Sequence, residues 1–181
     1  LLMRPIQIAE HANYLKENLQ SVQEETEAWV KPFSVLLGKV EKEYEPFAED
    51  SLSAQRKLII WYSEKGHIVQ AISLTREWII SYALFQVNER NLRRKEIREE
   101  MEKALNQLSR NKRGEDIGEK SSFYDLLERL PSARDIISMW DRTDLRNDVA
   151  HCGFREQPKS TENIEKRVLE TVELLKKFEI D

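Results

Sequence analysis

Apolar residues recur every three or four positions along most of the chain, which is the spacing of amphipathic α-helices. No stretch alternates apolar and polar residues in the way that a half-buried strand does. The spacing predicts long helices over residues 6–30, 33–47, 51–65, 67–87 and 88–110, and a short one over 123–130. We therefore predict an all-α fold, an irregular bundle of seven to nine helices with no sheet.

The remaining predicted helices lie in the last third of the chain. Ser132 is a good N-cap for a helix whose apolar face holds Ile136, Ile137, Met139 and Trp140. A short helix is predicted to start at about Leu145. Ser160 or Thr161 caps the last helix, whose predicted apolar stripe consists of Ile164, Val168, Leu169, Val172, Leu175 and Phe178.

Turn-forming residues mark several boundaries between these helices. Asp50 or Ser51 can cap the third helix, and Gly66 supplies a stop of the kind favoured after a helix C-terminus. Ser121 or Ser122 can cap the short helix. Residues 111–122 contain two glycines and have almost nothing to bury, so we expect a mobile loop there.

The most apolar segment, residues 67–87, is interrupted near its middle by Arg76 and Glu77. A charged pair at that position would cost several kcal/mol in a bilayer, so the segment is predicted to be the central helix of the bundle. The two side chains point about 100° apart, and one of them can face inward toward a polar site. An ion pair with a neighbouring helix, or a solvated seam, is the favoured interpretation.

The composition limits the class of protein. Charged residues make up 34% of the 181 residues and apolar ones 40%, with five glycines and five prolines. This chain is too apolar for disorder, too poor in turn residues for a β-sandwich, and long enough for one domain with a sizeable core. A single cysteine excludes an internal disulfide and fits a reducing cytoplasm. Because the sequence opens with Leu1-Leu2-Met3-Arg4-Pro5, we expect it to be the C-terminal part of a longer chain. We expect residues 1–181 to form one domain.

The net charge of −4 provides no global basic field that would attract nucleic acid. A nuclease with a small cleft remains compatible with this net charge, because a few arginines can supply the local positive potential. The basic residues between Arg93 and Arg98 stand beside the acidic run Glu99-Glu100, so we interpret them as ordinary solvated charge. His11 has no partner at metal-ligand spacing and is interpreted as a surface or half-buried histidine. His67 is interpreted as a capping or surface residue.

One stretch, Leu145 to Arg155, combines several residues that can carry chemistry. Arg146 and His151 stand with four residues between them on the predicted short helix, whose N-cap is Thr143 or Asp144 and whose C-terminal stop is Gly153. A helix C-terminus favours protonated imidazole, and a helix N-terminus favours an anion near Arg146. Asn147 is four residues before His151 and shares its helix face.

This Arg-x4-His spacing, followed by Gly-Phe-Arg, resembles the motif of HEPN ribonucleases, and most closely that of the CARF–HEPN proteins of type III CRISPR systems. The apolar run 71–78 also looks like the core helix of those proteins, and the resemblance covers residues 66–154 most specifically. It implies a HEPN-like domain that works as a homodimer, with the motif helices of two copies forming one composite site. The sensor domain that binds cyclic oligoadenylates in these relatives has no counterpart in this sequence.

The motif suits RNA cleavage because RNA carries its own nucleophile, the 2′-hydroxyl. His151 can act as general acid or base near neutral pH, Arg146 can stabilise phosphate charge, and Asn147 can position the substrate. The expected activity is a metal-independent endoribonuclease that cleaves single-stranded RNA in antiviral defence, with no cofactor and no membrane association. Two alternatives stay open: a non-catalytic HEPN-like module for dimerisation or partner binding, and the HEPN toxin of a toxin–antitoxin pair. Glu77 and the 93–98 cluster are weaker candidates.

Overall fold

The computed structural model describes residues 4–26, 31–145 and 160–180, and within 20–26 and 31–34 it describes the backbone alone. All regular elements in these ranges are helices, which confirms the predicted all-α class. The elements are α1 (Pro5–Thr26), α2 (Lys31–Tyr44), a 3-10 turn (Glu45–Phe47), α3 (Leu52–Glu64), α4 (Ile68–Gln86), α5 (Lys95–Lys112), α6 (Tyr124–Glu128), α7 (Ala133–Arg142) and α8 (Thr161–Leu175).

Helix α4 lies at the centre of the bundle, as its apolar composition predicts. It packs against α3, α5, α7 and α8. Trp78 and Ile79 in its middle are completely buried, and the Trp78 indole N–H donates to the carbonyl oxygen of Leu52 at 2.8 Å. Among the described helices, α4 included, none has the length and apolar character needed to cross a bilayer. The core therefore forms around α4, with the other helices covering its sides.

Three helices end in the same way, with one residue in the left-handed backbone region. Gly66 (φ 74°) follows α3, Asn88 (φ 62°) follows α4, and Gly114 (φ 74°) follows α5. In each case the next residue's N–H bonds back to the last turn, as Glu89 does to the Leu84 oxygen at 2.9 Å. This is the Schellman arrangement, which satisfies carbonyl groups left free at a helix end. It confirms the predicted stop at Gly66.

The stop at Asn88 corrects the predicted boundaries of the fifth helix. We predicted a helix over 88–110, but residues 88–94 form a connection and α5 begins only at Lys95. Asparagine tolerates the left-handed conformation better than other non-glycine residues, so it can end α4 where the apolar spacing alone shows no break. At its other end α5 continues to Lys112 and includes two residues of the predicted loop.

Serine caps were predicted at four helix starts, with different outcomes. Ser51 accepts a bond from the Ala54 N–H at 3.1 Å, and Ser160 accepts one from Asn163 at 3.3 Å, so both predictions are confirmed. Ser132 stands at the start of α7 but makes no capping bond. The predicted cap of the short helix is wrong, because α6 begins at Tyr124 and Phe123 occupies the N-cap position.

The loop between α5 and α6 is attached to α5 through one buried amide side chain. Gln107 donates through Nε2 to the carbonyl oxygens of Ile117 (3.0 Å) and Glu119 (2.6 Å), and its Oε1 accepts from the Ser121 N–H at 2.9 Å. Glu100 accepts from Ser121 and Ser122, and these bonds hold the pKa of its carboxyl group below the usual value. The predicted mobility of the loop stays a prediction, and these bonds would restrain it.

The segment that follows α8 closes the bundle against α3 and α4. The Phe178 ring meets Trp78 and Tyr82 edge-on, at centroid distances of 5.8 and 5.0 Å. Its carbonyl oxygen accepts from Arg56, and the Tyr82 hydroxyl donates to the Glu179 oxygen at 3.2 Å. Most of the predicted α8 stripe is buried, but Leu169 is 54% exposed, so that part of the prediction is wrong.

Candidate functional site

The three predicted site residues, Arg146, Asn147 and His151, lie outside the described residues. Their mutual geometry therefore stays a prediction. What the structure describes is the chain that leads into the motif, from α7 to Leu145, and the chain that resumes at Ser160.

The last described residues before the motif are held firmly in the core. Thr143 and Leu145 both have no exposed surface. Thr143 follows α7 with helical backbone angles (φ −73°, ψ −7°), and both its N–H and its hydroxyl donate to the Trp140 oxygen, at 2.9 and 2.7 Å. An N-cap normally has an extended backbone, so of the two predicted N-caps Thr143 does not fit, and Asp144 stays a prediction.

Arg76, in the middle of α4, contacts the turn that contains Thr143. Its Nη1 donates to the Thr143 hydroxyl oxygen at 3.3 Å, and its Nη2 donates to Glu102 Oε1 of α5 at 2.5 Å. The guanidinium carbon lies 3.9 Å from the centroid of the Trp140 ring, and the side chain is 15% exposed. The predicted ion pair with a neighbouring helix is confirmed. The contact with Thr143 had no signal in the sequence.

Glu77 faces a different part of α5. Its carboxylate pairs with Arg98 at 2.9 Å, and Arg98 also donates to the Ser81 hydroxyl (2.8 Å) and to the Leu92 carbonyl (2.7 Å). This ion pair satisfies Glu77 within the scaffold, on the side of α4 that leads to the 88–94 connection. As a weaker site candidate, Glu77 gains no support from these contacts.

The other cations of the basic cluster also face carboxylates. Arg93 pairs with Asp50, Arg94 with Glu96 at 3.1 Å, and Lys95 with Glu99 at 3.7 Å. All these pairs are solvent-exposed to a large extent, where ion pairs contribute little to stability. For these three cations the interpretation as ordinary solvated charge is confirmed. For Arg98 it is wrong, because that side chain is only 21% exposed and is bonded into the contact between α4 and α5.

A polar cluster that the sequence analysis missed joins the C-terminal ends of α5 and α7. The buried Ser109 hydroxyl donates to Asp141, and Arg113 Nη1 donates to the Ser109 oxygen at 2.8 Å. Lys112 lies 3.8 Å from the same aspartate. The pKa of Arg113 is raised, mainly by its bond to Glu115, with smaller contributions from Asp141 and Asp144. The sequence signal for this cluster is that Ser109 and Arg113 are four residues apart, which places them on the same side of α5.

The other two histidines are exposed, as predicted. His67 occupies the position before α4 without a capping bond, and its ring lies 6.2 Å from that of Trp61. His11 lies on the exposed side of α1. Among the residues that the structure describes, no three histidine, cysteine, aspartate or glutamate side chains are grouped closely enough to hold a metal ion.

Comparison with known proteins adds no relative: no family model, no curated protein and no solved structure matches the chain.

Proposed function

We propose that the chain is a HEPN-type endoribonuclease domain that cleaves single-stranded RNA without a metal ion. The observation that supports this most is the position of the Arg-x4-His motif in an all-α chain, directly after a turn whose Thr143 and Leu145 are fully buried. A catalytic group must be held within a narrow range of positions, and the buried Leu145 is an anchored residue directly before the motif.

The proposed chemistry uses the substrate's own 2′-hydroxyl as nucleophile. One proton leaves that hydroxyl, another is delivered to the departing 5′ oxygen, and the products are a 2′,3′-cyclic phosphate and a 5′-hydroxyl. His151 is the general acid or base, because the pKa of imidazole lies near neutral pH. Arg146 supplies a fixed cation for the phosphate oxygens, and Asn147 positions the substrate.

The composite site requires a second copy of the chain. One histidine is a sparse active site for two proton transfers, whereas a two-fold dimer that brings two motif helices together supplies two histidines and two arginines. In this proposal the domain belongs to a longer protein of type III CRISPR defence, and a cyclic oligoadenylate acts only through a sensor domain outside this sequence.

A second candidate is a HEPN-like module that binds a partner without cutting RNA. It is favoured by the net charge of −4 and by the carboxylates that face Arg93, Arg94, Lys95 and Arg98. Both features reduce the attraction of this surface for an RNA backbone. The intact Arg146 and His151 favour the nuclease.

The test is cleavage of a fluorescently labelled single-stranded RNA by the purified protein in EDTA. His151→Ala should lower the cleavage rate by about a hundredfold or more, the usual contribution of a general acid or base. His67→Ala, which removes an exposed histidine, is the matched control and should cleave like the wild type. Mass spectrometry should find 2′,3′-cyclic phosphate ends on the products. When the protein is diluted, its specific activity should fall in parallel with the fraction of dimer, which light scattering measures.

Two results would contradict this proposal. Cleavage that persists unchanged in His151→Ala would assign the activity to other residues or to a contaminant. A pure protein that binds a partner and leaves RNA intact at every concentration would favour the non-catalytic module.

A further inference from the structure

We propose that Arg76 is a positioning residue for the motif, acting through Thr143 to fix where the chain enters the proposed site. This inference rests on the proposed function. It adds a residue of α4, seventy positions before Arg146, to a site that the motif alone confines to residues 146–151.

The first support is the environment of the Arg76 side chain. It is 15% exposed and lies against the Trp140 ring, in a helix whose neighbouring turns hold the completely buried Ile72 and Ile79. Its partner Glu102 is 40% exposed, and ion pairs that water reaches contribute little to stability, so the pair alone does not explain the guanidinium. What a guanidinium provides is a rigid fork of donors that fixes two partners in direction as well as distance.

The second support is the identity of the two partners. One branch of the fork binds Glu102 of α5, and the other binds Thr143, which has no exposed surface. The same Thr143 hydroxyl donates to the Trp140 oxygen, so its oxygen is held from the α4 side and from the α7 side together. Arg76 thus sets the turn after α7 relative to α4 and α5.

The third support is the short distance along the chain from this turn to the motif. Arg146 follows Thr143 by three residues, which span at most about 10 Å. A displacement of Thr143 would therefore act on the chain within three residues of Arg146. A misplacement of about 1 Å in an active site can lower the rate by about a hundredfold, so a small shift at Thr143 is enough to matter.

The structure offers a matched control in Arg98. Its side chain is 21% exposed and also joins α4 to α5 through an ion pair, with Glu77. Its other contacts, Ser81 and the Leu92 carbonyl, lie away from Thr143. Loss of either arginine removes one ion pair between the same two helices, but only Arg76 holds the turn before the motif.

The experiment compares Arg76→Met and Thr143→Val with Arg98→Met and Thr143→Ser, using the labelled RNA in EDTA. We expect kcat to fall about ten- to a hundredfold in the first two variants, with KM changed by less than about threefold. Arg98→Met and Thr143→Ser, which keeps the hydroxyl, should retain wild-type kcat. Hydrogen exchange of peptides covering residues 143–155 should be faster in Arg76→Met than in Arg98→Met, with exchange in α8 equal in the two.

The outcomes separate this inference from the function on which it rests. If the wild type does not cleave, or His151→Ala cleaves normally, the proposed function fails and this inference falls with it. If His151→Ala is inactive but Arg76→Met and Thr143→Val behave like Arg98→Met, only the positioning role is wrong. Should Arg76→Met fail to fold, Thr143→Val decides, because it leaves the Arg76–Glu102 ion pair in place.

Discussion

Two serines at helix starts look alike in the sequence and differ in the structure. Ser160 has an extended backbone (φ −64°, ψ 151°) and caps α8, whereas Ser132 has helical angles (φ −84°, ψ 0°). An N-cap side chain reaches the free N–H groups only from the extended conformation. The Ser132 hydroxyl oxygen is instead buried without a hydrogen-bond partner among the described residues. The preceding turn from α6 sets this backbone, which residue type alone does not reveal.

This difference predicts opposite effects of two alanine substitutions. Ser160→Ala should lower the free energy of unfolding by about 1 kcal/mol, because it removes a capping bond. Ser132→Ala should leave it unchanged or raise it by up to about 1 kcal/mol, because it removes a buried hydroxyl that lacks a partner. Urea denaturation monitored by circular dichroism measures both. An equal loss in the two variants would contradict the assignment of Ser132 as a non-capping residue.

For the helices, the apolar periodicity predicts their existence more accurately than it predicts their ends. The apolar spacing continues through Leu92, so it gave no reason to break a helix at residues 88–94, and Asn88 was the only cue. The same limit applies to the candidate site. The sequence identified Arg76 as a charge within an apolar helix, but the contact with Thr143 joins residues 67 positions apart, and spacing along one helix does not determine such a contact.

The loop between α5 and α6 provides a prediction at this scale. Gln107→Leu removes the three bonds that attach Ile117, Glu119 and Ser121 to α5, so the loop should become more accessible to proteases. We expect trypsin to cleave after Lys120 several times faster than in the wild type. Gln55→Leu, which loses one 3.5 Å contact with Asp50, is the control. Equal cleavage rates in Gln107→Leu and the wild type would show that Gln107 does not restrain the loop.

For the whole molecule, the pattern predicted the all-α class and the central position of α4 because both depend on local composition. It could not predict which side of a helix another element covers. Leu169 illustrates this: it continues the apolar stripe of α8, yet it is 54% exposed, while Phe178 beyond the helix end is 6% exposed. The rings that bury Phe178 belong to Trp78, 100 positions earlier in the chain, and Tyr82, 96 positions earlier.

This contrast gives a prediction for global stability. Phe178→Ala should lower the free energy of unfolding by about 3–4 kcal/mol, because it leaves a cavity beside two aromatic rings in the core. Leu169→Ala should change it by less than about 0.5 kcal/mol, as is usual for exposed positions. Chemical denaturation of both variants measures the difference. Similar losses would mean that the segment after α8 does not hold the bundle closed.

The two ion pairs between α4 and α5 also determine how these helices align. Along α4 the order is Arg76 then Glu77, and the partners on the antiparallel α5 are Glu102 and Arg98, one helical turn apart. If α5 slid by one turn, Arg98 would stand where Glu102 stands and would face Arg76 with the same charge. Each pair contributes little to stability, but the alternating signs penalise the shifted alignment. The charges that interrupt the most apolar helix thus select one register for α5 against α4.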